Sequence, residues 1–267
     1  MDEGRIGLRA NLRHIGALVR RNALQIKQDP ESMMDALLMP IIFTLLFVYV
    51  FGGAIGGAGA GGGAGREKYV QYLVPGMMAM MCMNIAMAVG TGINEDFRKG
   101  VMDRFRSMPI ARSSVLIAKV VVEIARMLVA IAVLLTVGFL VGFDIQGHWL
   151  GMLASVGLTA LFGGSLLWIF MILGLTMRTA QAVQGVSFLV LMPLQFGSSV
   201  FVPVSTMPGW LESFTHVNPL TQLADAARAL MTGQGDVADP VMWTVVWSVG
   251  LTVVMAPIAI AKFRKKA

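Results

Sequence analysis

Residues 69–109 read YVQYLVPGMMAMMCMNIAMAVGTGINEDFRKGVMDRFRSMP. The run from 69 to 93 contains no Asp, Glu, Lys or Arg, whereas the 16 residues after it contain seven. A helix needs about 20 mostly apolar residues to cross the hydrocarbon core of a bilayer. The uncharged run meets that length, and the charged stretch behind it belongs in water. This boundary sets the class of the whole chain: a membrane protein whose spans are joined by charged segments.

Composition agrees. The 267 residues are 56% hydrophobic and only 13% charged, where soluble domains carry about 25% charged residues. The 21 Met and 30 Gly suit helices that pack closely or adapt to apolar ligands. A pI near 9.8 raises the question of nucleic acid. No basic stripe is interleaved with aromatics, so nucleic acid is not an expected partner, and the basic residues instead fix orientation in the membrane. Cys82 is the single cysteine, so no internal disulfide forms and the redox compartment is not readable from it. The opening MDEGRIGLRANLRHIGALVRRN has neither an apolar core of signal-peptide length nor a small-residue cleavage site. Insertion by the chain's own spans is the expectation.

Six runs have spanning length: 34–56, 69–93, 115–142, 149–176, 182–203 and 241–261. The predicted fold class is therefore an all-α integral membrane protein, one domain over 1–267. Pro40, Pro75, Pro193 and Pro257 fall inside the runs and predict kinks. Seventeen of the 21 Lys and Arg fall on one side of a six-span arrangement, three on the other, and Arg126 within the third span. By the positive-inside rule both termini are cytoplasmic.

The segments between spans carry their own patterns. Residues 8–27 set Leu8, Leu12, Ile15, Leu18 and Ile26 among Arg and His, an amphipathic helix on the cytoplasmic leaflet. GGAIGGAGAGGGAGREK at 52–68 is Gly-rich, but Lys68 is followed by Tyr69, not by the Ser or Thr of a phosphate loop. It reads as a flexible external linker. Residues 95–108 read as a second amphipathic helix, with Phe97, Val101, Phe105 and Met108 on one face, Asn94 as its cap and Pro109 as its stop. The external segment 204–233 carries a short helix from Leu220 to Met231 with an apolar stripe of Leu223, Ala227 and Leu230. Asp225 and Arg228 lie at pairing distance on it, and Gly233 suits its C-cap. Its length and single stripe predict a re-entrant or interfacial hairpin, not a span.

Catalytic chemistry is missing from the pattern. His14, His148 and His216 are scattered without ligand-type partners, so no metal site is expected. No nucleophile elbow or nucleotide-binding loop occurs. The chain is not expected to be an enzyme, and any ATP it uses must be bound by another chain. Glu123 and Arg126 lie one turn apart inside the third span. Two readings stand: an ion pair at a subunit interface or on a transport path, and a self-satisfied pair that positions the helix. Asn84, Gln195 and Ser198–Ser199 are polar groups at membrane depth. Asn84 and Gln195, with Met83, Met192 and Phe196, are candidates for a translocation path, and helix-to-helix packing is the competing reading.

GVMDRFRSMPIARSSVLIAK at 100–119 resembles the first cytoplasmic loop of the type-2 ABC exporter permeases, above all the daunorubicin-resistance group. FVPVSTMPGWL at 201–211 and NPLTQLADAARALMTG at 218–233 resemble that family's external signature. The order of elements is also similar over nearly the whole chain. The resemblance implies a permease subunit in the plasma membrane of a bacterium, moving a drug, lipid or other amphipathic molecule outward. It implies a second permease chain, identical or homologous, and two separate ATPase subunits that bind ATP and Mg. The helix at 95–108 would be the coupling helix, presenting Asp96, Phe97, Arg98, Val101, Asp103, Arg104, Phe105 and Arg106 to the ATPase. Arg178, Thr179 and Gln181 would be a second contact, and 8–27 the connecting helix. Asn218, Pro219 and Arg228 would support an outer gate. An ion-coupled secondary transporter is the rival reading, with a non-transporting membrane scaffold as another. The first usually keeps titratable carboxylates near the midplane, and the span centres here lack Asp and Glu.

Overall fold

The computed structural model describes residues 38, 41–51, 63–100, 112–146 and 149–266, and the main elements among them are helices. We number the α-helices α1 (Ile41–Val50), α2 (Gly63–Arg98), α3 (Arg112–Val141), α4 (Trp149–Thr176), α5 (Ala180–Phe196), α6 (Gly209–Val217), α7 (Pro219–Thr232) and α8 (Ala238–Lys266). Among the described residues, α2, α3, α4 and α8 are long and apolar enough to cross a membrane, while α1 and α5 are apolar but shorter. The 8–27 helix lies outside the described residues, as do Val101, Asp103, Arg104, Phe105 and Arg106.

Three boundaries differ from the sequence expectation. Helix α2 begins at Gly63, within the Gly-rich run read as a linker. It then continues unbroken through Asn94 to Arg98, so Asn94 is interior to α2 and does not cap the start of a new helix. No Pro or Gly stands between Ile93 and Arg98 to break the helix. Helix α5 stops at Phe196, short of 203. The amide of Asn218 donates to Leu194 O and Gly197 O, both at 2.8 Å, and so takes up carbonyls at the end of α5. The following residues turn into a short 3-10 segment at Val204–Thr206.

Helices α2 and α4 form the centre. Met77, Met78, Met81, Cys82 and Ile85 of α2 are buried, with Phe162, Leu167 and Met171 of α4. At Gly163 of α4 an added Cβ would lie 2.4 Å from Met127 Cε of α3 and 3.0 Å from Cys82 Cβ of α2. The missing side chain lets three helices converge, as small residues do in bilayers. Cys82 is fully buried, its thiol directed at Ala79 O at 3.0 Å. Polar side chains inside the bundle bond back to their own helix. Thr159 donates to Ser155 O at 2.8 Å, Ser187 to Val183 O at 2.6 Å and Ser248 to Thr244 O at 2.7 Å. In an apolar surrounding this satisfies each hydroxyl without a second helix.

The contacts define two ends. At one, which we call basal, the last turns of α2, α4 and α8 meet the first turns of α3 and α5. At the other, the cap end, the starts of α2 and α4 meet α7 and the turn after α5. Helix α7 starts at Pro219, where a missing N–H costs nothing, and Asn218 Oδ1 caps it by accepting from Leu220 N at 2.9 Å. It ends at Gly233, whose φ of 69° is the left-handed C-cap conformation. The expected stripe of Leu223, Ala227 and Leu230 is only part of its buried surface. Leu220, Ala224, Ala226 and Met231 are buried as well, because α7 packs among α2, α4 and α8.

Candidate functional site

The cap end is organised around Arg228 on α7. Its guanidinium has five N–H groups, and five acceptors receive them. Nε donates to Tyr72 O at 2.9 Å. Nη1 donates to Asp225 Oδ1 at 2.6 Å and to Ser199 Oγ at 3.1 Å. Nη2 donates to Val200 O at 3.2 Å and to Ser199 O. The guanidinium carbon also sits 3.6 Å from the centre of the Tyr72 ring, a stacked cation–π contact. Ser199 Oγ donates to Asp225 Oδ1 at 2.7 Å, and the Tyr72 hydroxyl donates to Ser199 O. One side chain thus joins α2, α7 and the turn after α5. Gly76 permits the approach, since a Cβ there would lie 2.5 Å from Val200 O. Of the three expected gate residues, Arg228 makes this junction, Asn218 ties α7 to the end of α5, and Pro219 opens α7.

The polar groups expected within the spans are partly gathered. Gln195 Nε2 donates to Asn84 Oδ1 at 3.3 Å, joining α5 to α2. Met83 is buried in the core, while Met192 and Phe196 are exposed. Phe196 stacks on Phe201 with ring centres 5.5 Å apart, and Phe201 on Phe47 of α1 at 4.8 Å. The five residues proposed for a path therefore do not share one surface within this chain. Glu123 and Arg126 approach to 2.9 Å, with both side chains under a tenth exposed. The contact is ionic without hydrogen-bond alignment, since Glu123 Oε2 and Arg126 Nε have no hydrogen-bond partner among the described residues.

The basal end concentrates charge on a tied framework. Asp96 is held by Lys119 of α3 at 2.9 Å. Phe97 packs edge-on against Phe263 of α8, and Lys266 Nζ lies 5.0 Å from its ring centre. These two residues are engaged within the chain. Arg98, Arg178 and Gln181 are exposed at the same end, and Thr179 caps α5 by accepting from Ala182 N at 3.1 Å. Lys262 Nζ donates to Thr176 Oγ1 and Lys266 Nζ to Leu175 O, both at 2.9 Å. Cations at the C-terminus of α4 oppose its negative dipole end.

Sequence reasoning missed Tyr72, Lys119 and the true role of Asn94. Tyr72 and Lys119 gave no signal, because their partners lie 156 and 23 residues away. Asn94 stands out as a polar residue at the end of an apolar run, a position that predicts a helix start, yet α2 continues through it.

Comparison with known proteins agrees with the membrane architecture. Residues 13–232 match the ABC-2 type transporter family. The chain is 35% identical over 246 residues to the daunorubicin resistance ABC transporter permease protein DrrB1 of Streptomyces coeruleorubidus, covering 92% of this chain and 84% of that protein. It is 29% identical over 164 residues to the probable doxorubicin resistance permease protein DrrC of Mycobacterium tuberculosis, covering 60% of this chain and 58% of that protein. It is 25% identical over 202 residues to the probable multidrug permease YbhR of Escherichia coli, covering 74% of this chain and 53% of that protein. The chain thus spans little more than half the length of the latter two. A family match over most of the sequence, joined to a bundle with four spanning helices, places this chain in the ABC-2 type transporter family as a multi-pass membrane permease subunit.

Proposed function

We propose that this permease forms half of the membrane pathway of an ATP-driven exporter for an amphipathic drug or lipid. The observation that carries the reading is the similarity to a daunorubicin-resistance permease over 92% of the chain. A second permease chain, identical or homologous, completes the pathway, and two ATPase subunits bind ATP and Mg. The chain crosses the plasma membrane six times, with α1 and α5 as the shorter crossings and both termini in the cytoplasm. The segment 204–233 is a re-entrant hairpin at the outer face. The basal end is then cytoplasmic, and its exposed Arg98, Arg178 and Gln181, with Val101, Asp103, Arg104, Phe105 and Arg106, meet the ATPase. Asp96, Phe97 and Thr179 brace that surface from behind. Asn218, Pro219 and Arg228 hold the outer gate, and the Asn84–Gln195 bond marks the mid-depth polar step. An ion-coupled mechanism is less favoured, because Glu123, the buried carboxylate among the described residues, is already beside Arg126.

The test is co-purification with the cognate ATPase and hydrolysis measured on each preparation. The isolated chain hydrolyses no ATP, and the pair hydrolyses it. Arg104→Glu combined with Arg106→Glu weakens ATPase capture while membrane insertion persists. Hydrolysis by the isolated chain, or normal capture and transport by the double variant, overturns the reading.

A further inference from the structure

Asn94 is 2% exposed, deep in the last part of α2. Its Nδ2 donates to Gly174 O at 3.0 Å and to Met177 O at 2.8 Å. Both carbonyls lie at the C-terminal end of α4, where helix geometry leaves the last acceptors without partners. The cap therefore comes from a different helix, with both amide hydrogens used. Four residues earlier the two helices touch backbone to backbone. A Cβ on Gly174 would lie 2.2 Å from Gly90 O, and one on Gly90 would lie 2.7 Å from Phe170 O. Helices α2 and α4 are thus in backbone contact at this crossing, one turn from the two Asn94 bonds. The two Asn94 bonds tie the last part of α2 to Gly174 and Met177. Residue 177 leads through Arg178 into Thr179, the cap of α5.

We propose that Asn94 is a positioning residue that couples the two basal segments, 95–100 and 177–179, so that force applied to the first moves α5. The proposal rests on the reading of the basal end as the ATPase-facing end. It gives α5 an input at its first turn and an output at Gln195, bonded to Asn84, and at the turn held by Arg228.

The experiment uses the permease with its ATPase in liposomes and a bimane probe on Val190→Cys, an exposed site midway along α5. ATP changes the bimane signal of the parent protein. In Asn94→Leu, which keeps a similar shape but has no donor, the signal change per ATP hydrolysed falls about twentyfold, each lost bond being worth a factor of about five. Asn94→Ala behaves the same way, Asn94→Gln recovers much of the signal, and Asn94→Ser, with one donor, is intermediate and remains usable if the others fold poorly. A merely structural role lowers ATPase capture, hydrolysis and signal together and leaves their ratio unchanged in the folded fraction, which overturns the proposal. If the parent protein captures no ATPase, the reading of the basal end fails first and the coupling role falls with it.

Discussion

Arg228 shows how much one side chain can hold when every donor is used. Its side chain is 11% exposed and its partners come from three elements. Lysine offers three donors around a point charge and lacks the planar fork. Arg228→Lys therefore strands at least two buried acceptors and lowers stability by about 2–4 kcal/mol, read as an earlier unfolding midpoint in detergent. Asp225 is 41% exposed, and solvent screening reduces its share. Asp225→Asn costs about 1 kcal/mol or less. Equal effects from the two variants would refute the five-donor account. The Asp225–Arg228 pair was legible in the sequence, because i,i+3 spacing on a helix is local. Tyr72 and Ser199 were not, because only the tertiary fold brings them to α7.

At the level of elements, the α2–α4 crossing depends on glycine. Gly174→Ala drives a methyl group into Gly90 O, a backbone atom that cannot turn aside. The helices must separate, and the expected cost is about 1–3 kcal/mol with reduced folded yield. Gly157, on the same helix, meets nothing within 4 Å. Gly157→Ala should hold or raise thermal stability by up to about 1 kcal/mol through helix propensity. A similar loss in both variants would show that the crossing is not tight. Helix ends were the least legible feature of the chain. Hydropathy marks where water begins, and at Asn94 that change of environment falls within a continuing helix. At Phe196 the reverse holds: the apolar run continues to Val202, but Asn218 captures the end of α5 from 24 residues away.

Over the whole molecule, the large outward apolar surface follows from the same pattern that revealed the spans. Ile42 and Leu46 of α1, Val129 and Leu140 of α3, Leu189 of α5 and Val253 of α8 are all exposed. In water such a surface would aggregate, and in a bilayer it meets lipid or another apolar helix. Trp149, Trp210 and Trp243 begin or nearly begin α4, α6 and α8 and are exposed, in keeping with an aromatic belt at the cap end. The membrane class and most spans were legible because they depend on runs of one chemistry. The basal and cap junctions depend on single polar atoms meeting across the sequence, and no run records them.

The one cysteine of the chain is sealed in the centre of the bundle. A thiol so enclosed reacts slowly, so the unmodified protein is a silent background for labelling. With a membrane-impermeant maleimide, Gln234→Cys in intact cells should label at once, and Lys265→Cys only after the membrane is opened. The opposite pattern would invert the proposed orientation. Because Cys82 need not be removed first, each reporter reads the native bundle.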